Sequence, residues 1–227
     1  MTKVVVMIPT KNEEQGIKET ILGVKQKITP DNIIVVDANS TDNTAKIAKE
    51  EGAEVLLQNG VGKGAGIITF IEKTKKYPGD TVVVMTDADS TYGLDNVKSQ
   101  FPLTKEYGML VGSRFKGKIE KGALKLLNML GNYFFSFLVT ALLKTKVSDV
   151  LTGLRVFRLD VLRKMNLKVQ GFDIETEMTV KCIKNKLGYI EFPCDYYNRK
   201  GKSNLRPFQD GWVILKRIFK EVFSKKV

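Results

Sequence analysis

The stretch TVVVMTDADS, residues 81–90, constrains this chain more than any other, because a short and uniformly apolar run stops abruptly at two carboxylates. Val82–Met85 is rich in β-branched residues and lacks polar/apolar alternation, as expected of a central parallel strand buried on both faces. In open α/β sheets ligands collect at the carboxyl ends of strands, so Asp87 and Asp89 are expected at a ligand cleft. One residue apart, they project the same way if the chain stays extended, and two hard oxygens joined by substrate phosphate oxygens are a usual way to hold Mg²⁺. The plain structural alternative is a strand-ending turn, where Asp and Ser are common.

The 227 residues, 43% of them hydrophobic, suffice for one substantial core. The formal net charge of +12, with a pI near 9.5, draws anions of three kinds: nucleic acid, acidic lipid headgroups or phosphorylated small molecules. A lysine-rich solvated surface would account for it equally. Histidine is absent, which excludes a His-containing triad and a His-ligated zinc site. Cys182 and Cys194 lack metal-type spacing and are too few for a disulfide framework, which points to a reducing compartment. The opening MTKVVVMIPT is too short an apolar run for a secretory signal and reads as the first strand of a cytoplasmic protein.

Apolar runs at 4–8, 33–36, 55–57 and 82–85 alternate with helical patterns, which predicts a parallel α/β sheet with a polar turn after each strand. Glu13 and Glu14 follow the first strand near a helix start, where negative charge suits the dipole. Asp37 ends the second strand, and Gly52 is a plausible stop for the helix through Ile47 and Ala48. The turn GVGKGAG, 60–66, loosely matches a dinucleotide fingerprint but follows the third strand rather than the first, and lacks the spacing of a phosphate loop. Lys63 near bound phosphates and a flexible connection are the readings left open. Residues 109–111 read as a further strand ending in Gly112-Ser113-Arg114.

Residues 124–143 are mostly apolar, with Asn128, Asn132, Ser136 and Thr140 four apart. Their length is just enough to span a bilayer, yet the polar stripe would be costly against lipid, so a helix on a membrane surface or partly in the core is expected. From about residue 208, Trp212, Leu215, Ile218, Phe219 and Val222 recur at helical spacing among Lys216, Arg217, Lys220, Lys225 and Lys226. That is a basic amphipathic helix with an aromatic anchor, suited to an anionic membrane surface, or else a helix packed on the domain with solvated lysines.

In this order PTKNEE, VVDANSTDNT, GKGAGI, MTDADS, VGSRF, DVLTGLRVF, GFDIETEM and YYNRKGKSNL resemble the family 2 inverting glycosyltransferases, and within them the dolichol-phosphate (polyprenyl-phosphate) sugar synthases. The resemblance implies an α/β, GT-A (Rossmann-like) fold with a central, mostly parallel sheet over residues 1–207, followed by the basic helix 208–227. It implies donor contacts from Pro9, Glu13, Asp37, Lys63 and Asp87, with Mg²⁺ or Mn²⁺ on Asp87 and Asp89. Arg114, Asn132, Arg155, Arg199, Lys202 and Ser203 would form the acceptor side, and Asp89, Arg114 and Arg199 the catalytic set. The chain departs from the family pattern at Ala38, at Thr91, and at Leu124, where family members carry a second acid, a glutamine and an arginine; Lys125 is the nearest stand-in for the last.

In an inverting transfer an acceptor oxygen attacks the anomeric carbon as the nucleoside diphosphate leaves, and a metal stabilises the charge growing on that group. A lipid phosphate, with a second pKa of about 6, is largely dianionic at neutral pH and needs no strong base. An acceptor hydroxyl would need one, for which Asp149, Glu175 and Glu177 are candidates, with ion pairing as their structural alternative. The expectation is thus an enzyme on the cytoplasmic face of the membrane, peripheral, moving sugar from a UDP- or GDP-sugar to polyprenyl phosphate. Transfer to a soluble or saccharide hydroxyl is the same-class alternative, and a non-catalytic nucleic-acid-binding protein the alternative of another class, disfavoured because the arginines fall in separate turns.

Overall fold

The computed structural model describes residues 2–201 and 206–224. Strands β1 (Val4–Thr10), β2 (Asn32–Asp37), β3 (Glu54–Leu57) and β4 (Val82–Met85) form where the apolar runs predict them, with helices α1 (Ile17–Lys27), α2 (Thr44–Glu50) and α3 (Lys63–Lys73) between them. After β4 come a 3-10 turn (Lys98–Lys105), β5 (Met109–Ser113), a second 3-10 turn (Arg114–Lys116) and α4 (Leu126–Leu143). The chain continues through β6 (Arg155–Arg158), α5 (Leu159–Lys164), α6 (Ile174–Lys184), β7 (Tyr189–Pro193) and α7 (Pro207–Phe223). The seven strands lie in the order β3-β2-β1-β4-β6-β5-β7, all parallel to their neighbours except β6, which runs against both β4 and β5.

Alternate residues of the central strands feed two separate cores. Val6, Ile8, Val82 and Val84 pack with Ile17, Ile21 and Val24 of α1, while Val5, Met7, Val83 and Met85 pack with Ile67 and Phe70 of α3. Full burial of one such side chain is worth roughly 1.5–3 kcal/mol, so β4, apolar on both faces, is firmly held up to the residue where its carboxylates begin.

A third cluster joins α4, α6 and α7 through Phe135, Val139, Val180, Ile214 and Ile218. Helix α4 is amphipathic in the reverse of the usual sense. Its polar stripe turns inward: Asn132 Nδ2 donates to Asp149, Ser136 Oγ accepts from the Val150 amide at 3.0 Å, and Thr140 Oγ1 accepts from the Val147 amide at 3.0 Å. Its outer face exposes Leu126, Leu130, Phe134 and Phe137, the last 70% accessible. Helix α7 similarly buries Ile214 and Ile218 and exposes Phe208, Trp212, Phe219 and Phe223, with the Lys216 ammonium 5.1 Å from the Trp212 ring centre. Lys225 and Lys226 lie outside the described residues.

Candidate active site

The carboxyl ends of β1, β2 and β4 lie side by side, and the turns that follow them build one cleft. Asp37, closing β2, is buried and accepts from the Ser40 amide at 3.0 Å and from the Ser40 hydroxyl at 2.5 Å. Pro9 is paired with Val36 just before it. Beyond β3 the glycine-rich turn wedges against residues 169–171. A Cβ at Gly64 would stand 2.0 Å from the Val169 carbonyl oxygen, so glycine is there for close backbone approach. That approach delivers Lys63 to the cleft, where its Nζ lies 2.5 Å from Asp87 Oδ1 and 2.6 Å from Glu175 Oε1. Burial opposes the ammonium charge, but these two carboxylates outweigh it and hold the lysine above its usual range.

Asp89 is nearly buried. Its Oδ1 accepts from Thr91 Oγ1 at 2.7 Å, and its Oδ2 faces Arg199 Nη1 at 2.7 Å. Burial and the neighbouring charge of Asp87 raise its carboxyl above the usual range, with Arg199 acting the other way. Arg199, from the loop after β7, pairs through Nη2 with Glu13. Burial, reinforced by Asp89 and Asp87 and opposed by Arg199, raises Glu13 to about 7.

The donor set suits a hard divalent cation: two carboxylates close enough to perturb one another, each already holding a positively charged nitrogen. A Cβ at Gly153 would sit 2.6 Å from Asp87 Oδ2, so the absence of a side chain there leaves that carboxylate its room. Among the described residues no group of three or more such ligands occurs, so these two would share a cation with oxygens of a bound ligand.

Arg114, at the end of β5, is fixed on Asp149 by its amide at 2.9 Å, Nε at 2.8 Å and Nη2 at 2.7 Å. Burial works against the Asp149 charge, but Arg114 and Asn132 together keep the carboxyl below its usual range. The Arg114 guanidinium lies 5.1 Å from the Tyr196 ring centre, and Tyr196 meets Tyr92 edge to face. Tyr92 in turn accepts from the Gly153 amide at 2.7 Å, which ties the Arg114 side of the cleft to the Asp87 side. Glu191 on β7 supports the whole turn, accepting from the Ser148 amide at 2.7 Å and from Tyr189 and Lys116. Neither Glu191 nor the tyrosine pair stands out in the sequence; Tyr196 is legible only as part of YYN, and Glu191 interrupts an apolar strand.

Of the expected acceptor residues, Arg114, Asn132 and Arg199 lie at or against the cleft, whereas Arg155 does not. It is wholly buried in β6, donating to the carbonyls of Val150 at 3.0 Å and Thr152 at 3.1 Å and to Thr179 Oγ1 at 2.9 Å. Its role is to brace the DVLTG turn from beneath, which corrects the acceptor assignment. Lys202 and Ser203 lie outside the described residues. Of the three carboxylates considered as bases, Asp149 is consumed by Arg114, and Glu177 by the Lys168 and Val169 amides and by Lys181 at 2.6 Å. Glu175 alone of the three reaches the cleft, through Lys63.

A groove of about 150 Å³ runs between α4 and α7, lined by Leu127, Gly131, Phe135, Phe208 and Ile214, with Asn132 also in its wall.

The chain is 34% identical over 220 residues to glycosyltransferase AglJ of Haloferax volcanii, covering 96% of this chain and 71% of the relative. It is 30% identical over 227 residues to a dolichyl-phosphate hexose transferase of the same organism, covering 98% and 95%. The fold matches glucosyl-3-phosphoglycerate synthase of Mycobacterium tuberculosis, solved with Mn²⁺, uridine diphosphate and phosphoglyceric acid, with a TM-score of 0.71 at 17% identity over 99% of this chain and 80% of that one. The model of glycosyl transferase family 2 matches residues 5–165, and with the sheet order and cleft described above the chain belongs to that family and is a glycosyltransferase of α/β, GT-A type.

Proposed function

We propose that the protein transfers a sugar, with inversion, from a nucleoside-diphosphate sugar to a polyprenyl phosphate at a membrane surface. The observation that supports this best is the double role of α4. Asn132 on its inner face binds the carboxylate that holds Arg114, while Leu126, Leu130, Phe134 and Phe137 on its outer face are bare. A cleft arginine and a lipid-compatible surface are thus one helix apart, which fits an acceptor that is anionic at one end and apolar along the rest. The relative named a dolichyl-phosphate hexose transferase points the same way.

In this reading Pro9, Glu13 and Asp37 line the seat of base and ribose, and Lys63 neutralises the diphosphate. Asp87 and Asp89 would hold Mg²⁺ or Mn²⁺, which supplies charge stabilisation to the departing diphosphate. The Asp149 fork orients Arg114, whose Nη1 edge has no partner among the described residues and is available to a phosphate oxygen. Arg199 serves the same acceptor, and Lys202 and Ser203 follow it in sequence. The phosphate oxygen, already ionised, attacks the anomeric carbon on the face opposite the diphosphate, so no side chain needs to remove a proton. Residues 1–207 act as the catalytic domain. Helix α4 and the basic helix α7 rest on an anionic cytoplasmic membrane face; α4 is long and apolar enough to cross a membrane, but its inward polar stripe ties it to the domain.

One observation favours a second reading. Glu175, 2.6 Å from Lys63, is the one candidate base at the cleft, as transfer to a saccharide hydroxyl would require. A panel of UDP- and GDP-sugars offered with a short polyprenyl phosphate, and separately with soluble glycosides, decides between them; turnover confined to the glycosides would displace the lipid reading.

A further inference from the structure

Two cationic side chains and four carboxylates meet in the cleft, each cation bridging carboxylates from different elements: Lys63 between Asp87 and Glu175, Arg199 between Asp89 and Glu13. With all six ionised the cluster lacks two positive charges, the deficit that one divalent cation fills. Asp89 shows where the competition falls. Thr91 takes Oδ1 through both its hydroxyl and its amide, so Oδ2 is the oxygen left for a cation, and Arg199 Nη1 covers it at 2.7 Å. The same guanidinium keeps Nε buried with no partner among the described residues, so it is not fully satisfied by the carboxylates it holds.

We propose that Arg199 is an internal counter-ion, seated on Asp89 and Glu13 and passed to the acceptor anion when a divalent cation takes Asp89, so that cation and acceptor each strengthen the binding of the other. This rests on the metal and acceptor assignments above and adds the coupling between them. A cation on Asp89 Oδ2 repels the guanidinium that lies 2.7 Å from the same oxygen and competes with it for that charge, and the arginine fork suits phosphate as well as carboxylate. By linkage, whatever Arg199 costs the cation in affinity the cation returns to the acceptor.

The sign of one effect separates this from a simple acceptor contact. Mn²⁺ binding is measured by electron paramagnetic resonance of the free ion, with UDP or GDP present and no sugar or acceptor, for wild type, Arg199→Ala, Arg199→Lys and Lys200→Ala, each checked for an unchanged melting curve. Loss of one charge-assisted contact corresponds to at least about tenfold, so Arg199→Ala should bind Mn²⁺ about tenfold more tightly and Arg199→Lys by less. Lys200→Ala, whose side chain pairs with Glu19 and with neither Asp87 nor Asp89, should be unchanged. In a second arm, farnesyl phosphate should bind wild type more tightly once Mn²⁺ and nucleotide are added, and Arg199→Ala should lose that gain. Equal or weaker Mn²⁺ binding by Arg199→Ala overturns the inference alone. No Mn²⁺ binding by wild type or variant would overturn the metal assignment and the inference with it.

Discussion

Replacing Asp149 by Asn should loosen Arg114 before it loosens anything else in the cleft. The carboxylate is wholly buried and receives three bonds from one residue, at 2.9, 2.8 and 2.7 Å, so the variant leaves a guanidinium facing a neutral amide in a site from which water is excluded. Breaking a buried pair from one side costs about 3–5 kcal/mol, and since Asn keeps one acceptor oxygen the lower end, about 3 kcal/mol, is expected. For a domain of this size each kcal/mol moves the melting temperature by about 2–4 °C, so calorimetry should show a drop of about 6–12 °C. With Arg114 free to leave its fork, kcat/KM for the acceptor should fall about tenfold to a hundredfold while donor binding is kept. The double variant Arg114→Met, Asp149→Leu separates the two effects: with no charge left buried, most of the stability should return, and the activity should not. A melting temperature and acceptor kinetics for Asp149→Asn that match wild type would refute the view that this carboxylate holds Arg114 for catalysis.

Three further outcomes are expected. Asp87→Asn and Asp89→Asn should each keep the fold and lose turnover equivalent to about 3 kcal/mol, as when one leaving-group stabiliser is removed; full activity of both in the presence of a chelator would sink the metal assignment. In metal-free protein Glu13 binds its proton more tightly when folded than unfolded, with a pKa raised from 4.5 to about 7. Its contribution is therefore fully present below about pH 4.5 and is lost as pH rises through about 7, and Glu13→Gln should flatten stability against pH across that window. Phe137→Glu and Trp212→Glu should weaken binding to anionic vesicles, which in wild type should itself be reduced by salt; binding unaffected by either change would remove these faces from the membrane account.

How far the sequence reaches differs sharply between the two halves of the chain. β1, β2 and β4 are legible because each is a run rich in β-branched residues buried on both faces, and a parallel strand at the sheet centre has nothing else to be; β3, a half-exposed edge strand, is legible only as a short apolar run between helical patterns. β6 and β7 carry Arg155, Arg158 and Glu191 inside or at the ends of short strands, so the apolar run that marks a strand is broken by charged residues, two of which, Arg155 and Glu191, have partners as distant in sequence as Thr179 and Ser148. Asp87, Asp89 and Glu13 can be placed in advance because they end parallel strands or begin the following turn. Arg155 is misplaced for the opposite reason: its motif neighbours face the cleft, but its own side chain points from β6 into the core, and only the buried carbonyls of Val150 and Thr152 show that it needs no ligand. The sense of α4 is likewise hidden, since four polar residues on one stripe look the same whether they face water or the Asp149 turn.

The most direct test of the central claim offers the protein two acceptors that differ in one group, a short polyprenyl phosphate and the corresponding polyprenol, with each nucleotide sugar and Mn²⁺, and follows labelled sugar into the lipid fraction for wild type and Glu175→Gln. Transfer to the phosphate alone, with no basic limb in the pH–rate profile that depends on Glu175, is the predicted result. Transfer to the alcohol, or a pH-dependent collapse in Glu175→Gln, would contradict a phosphate nucleophile and make Glu175 the base for a hydroxyl acceptor.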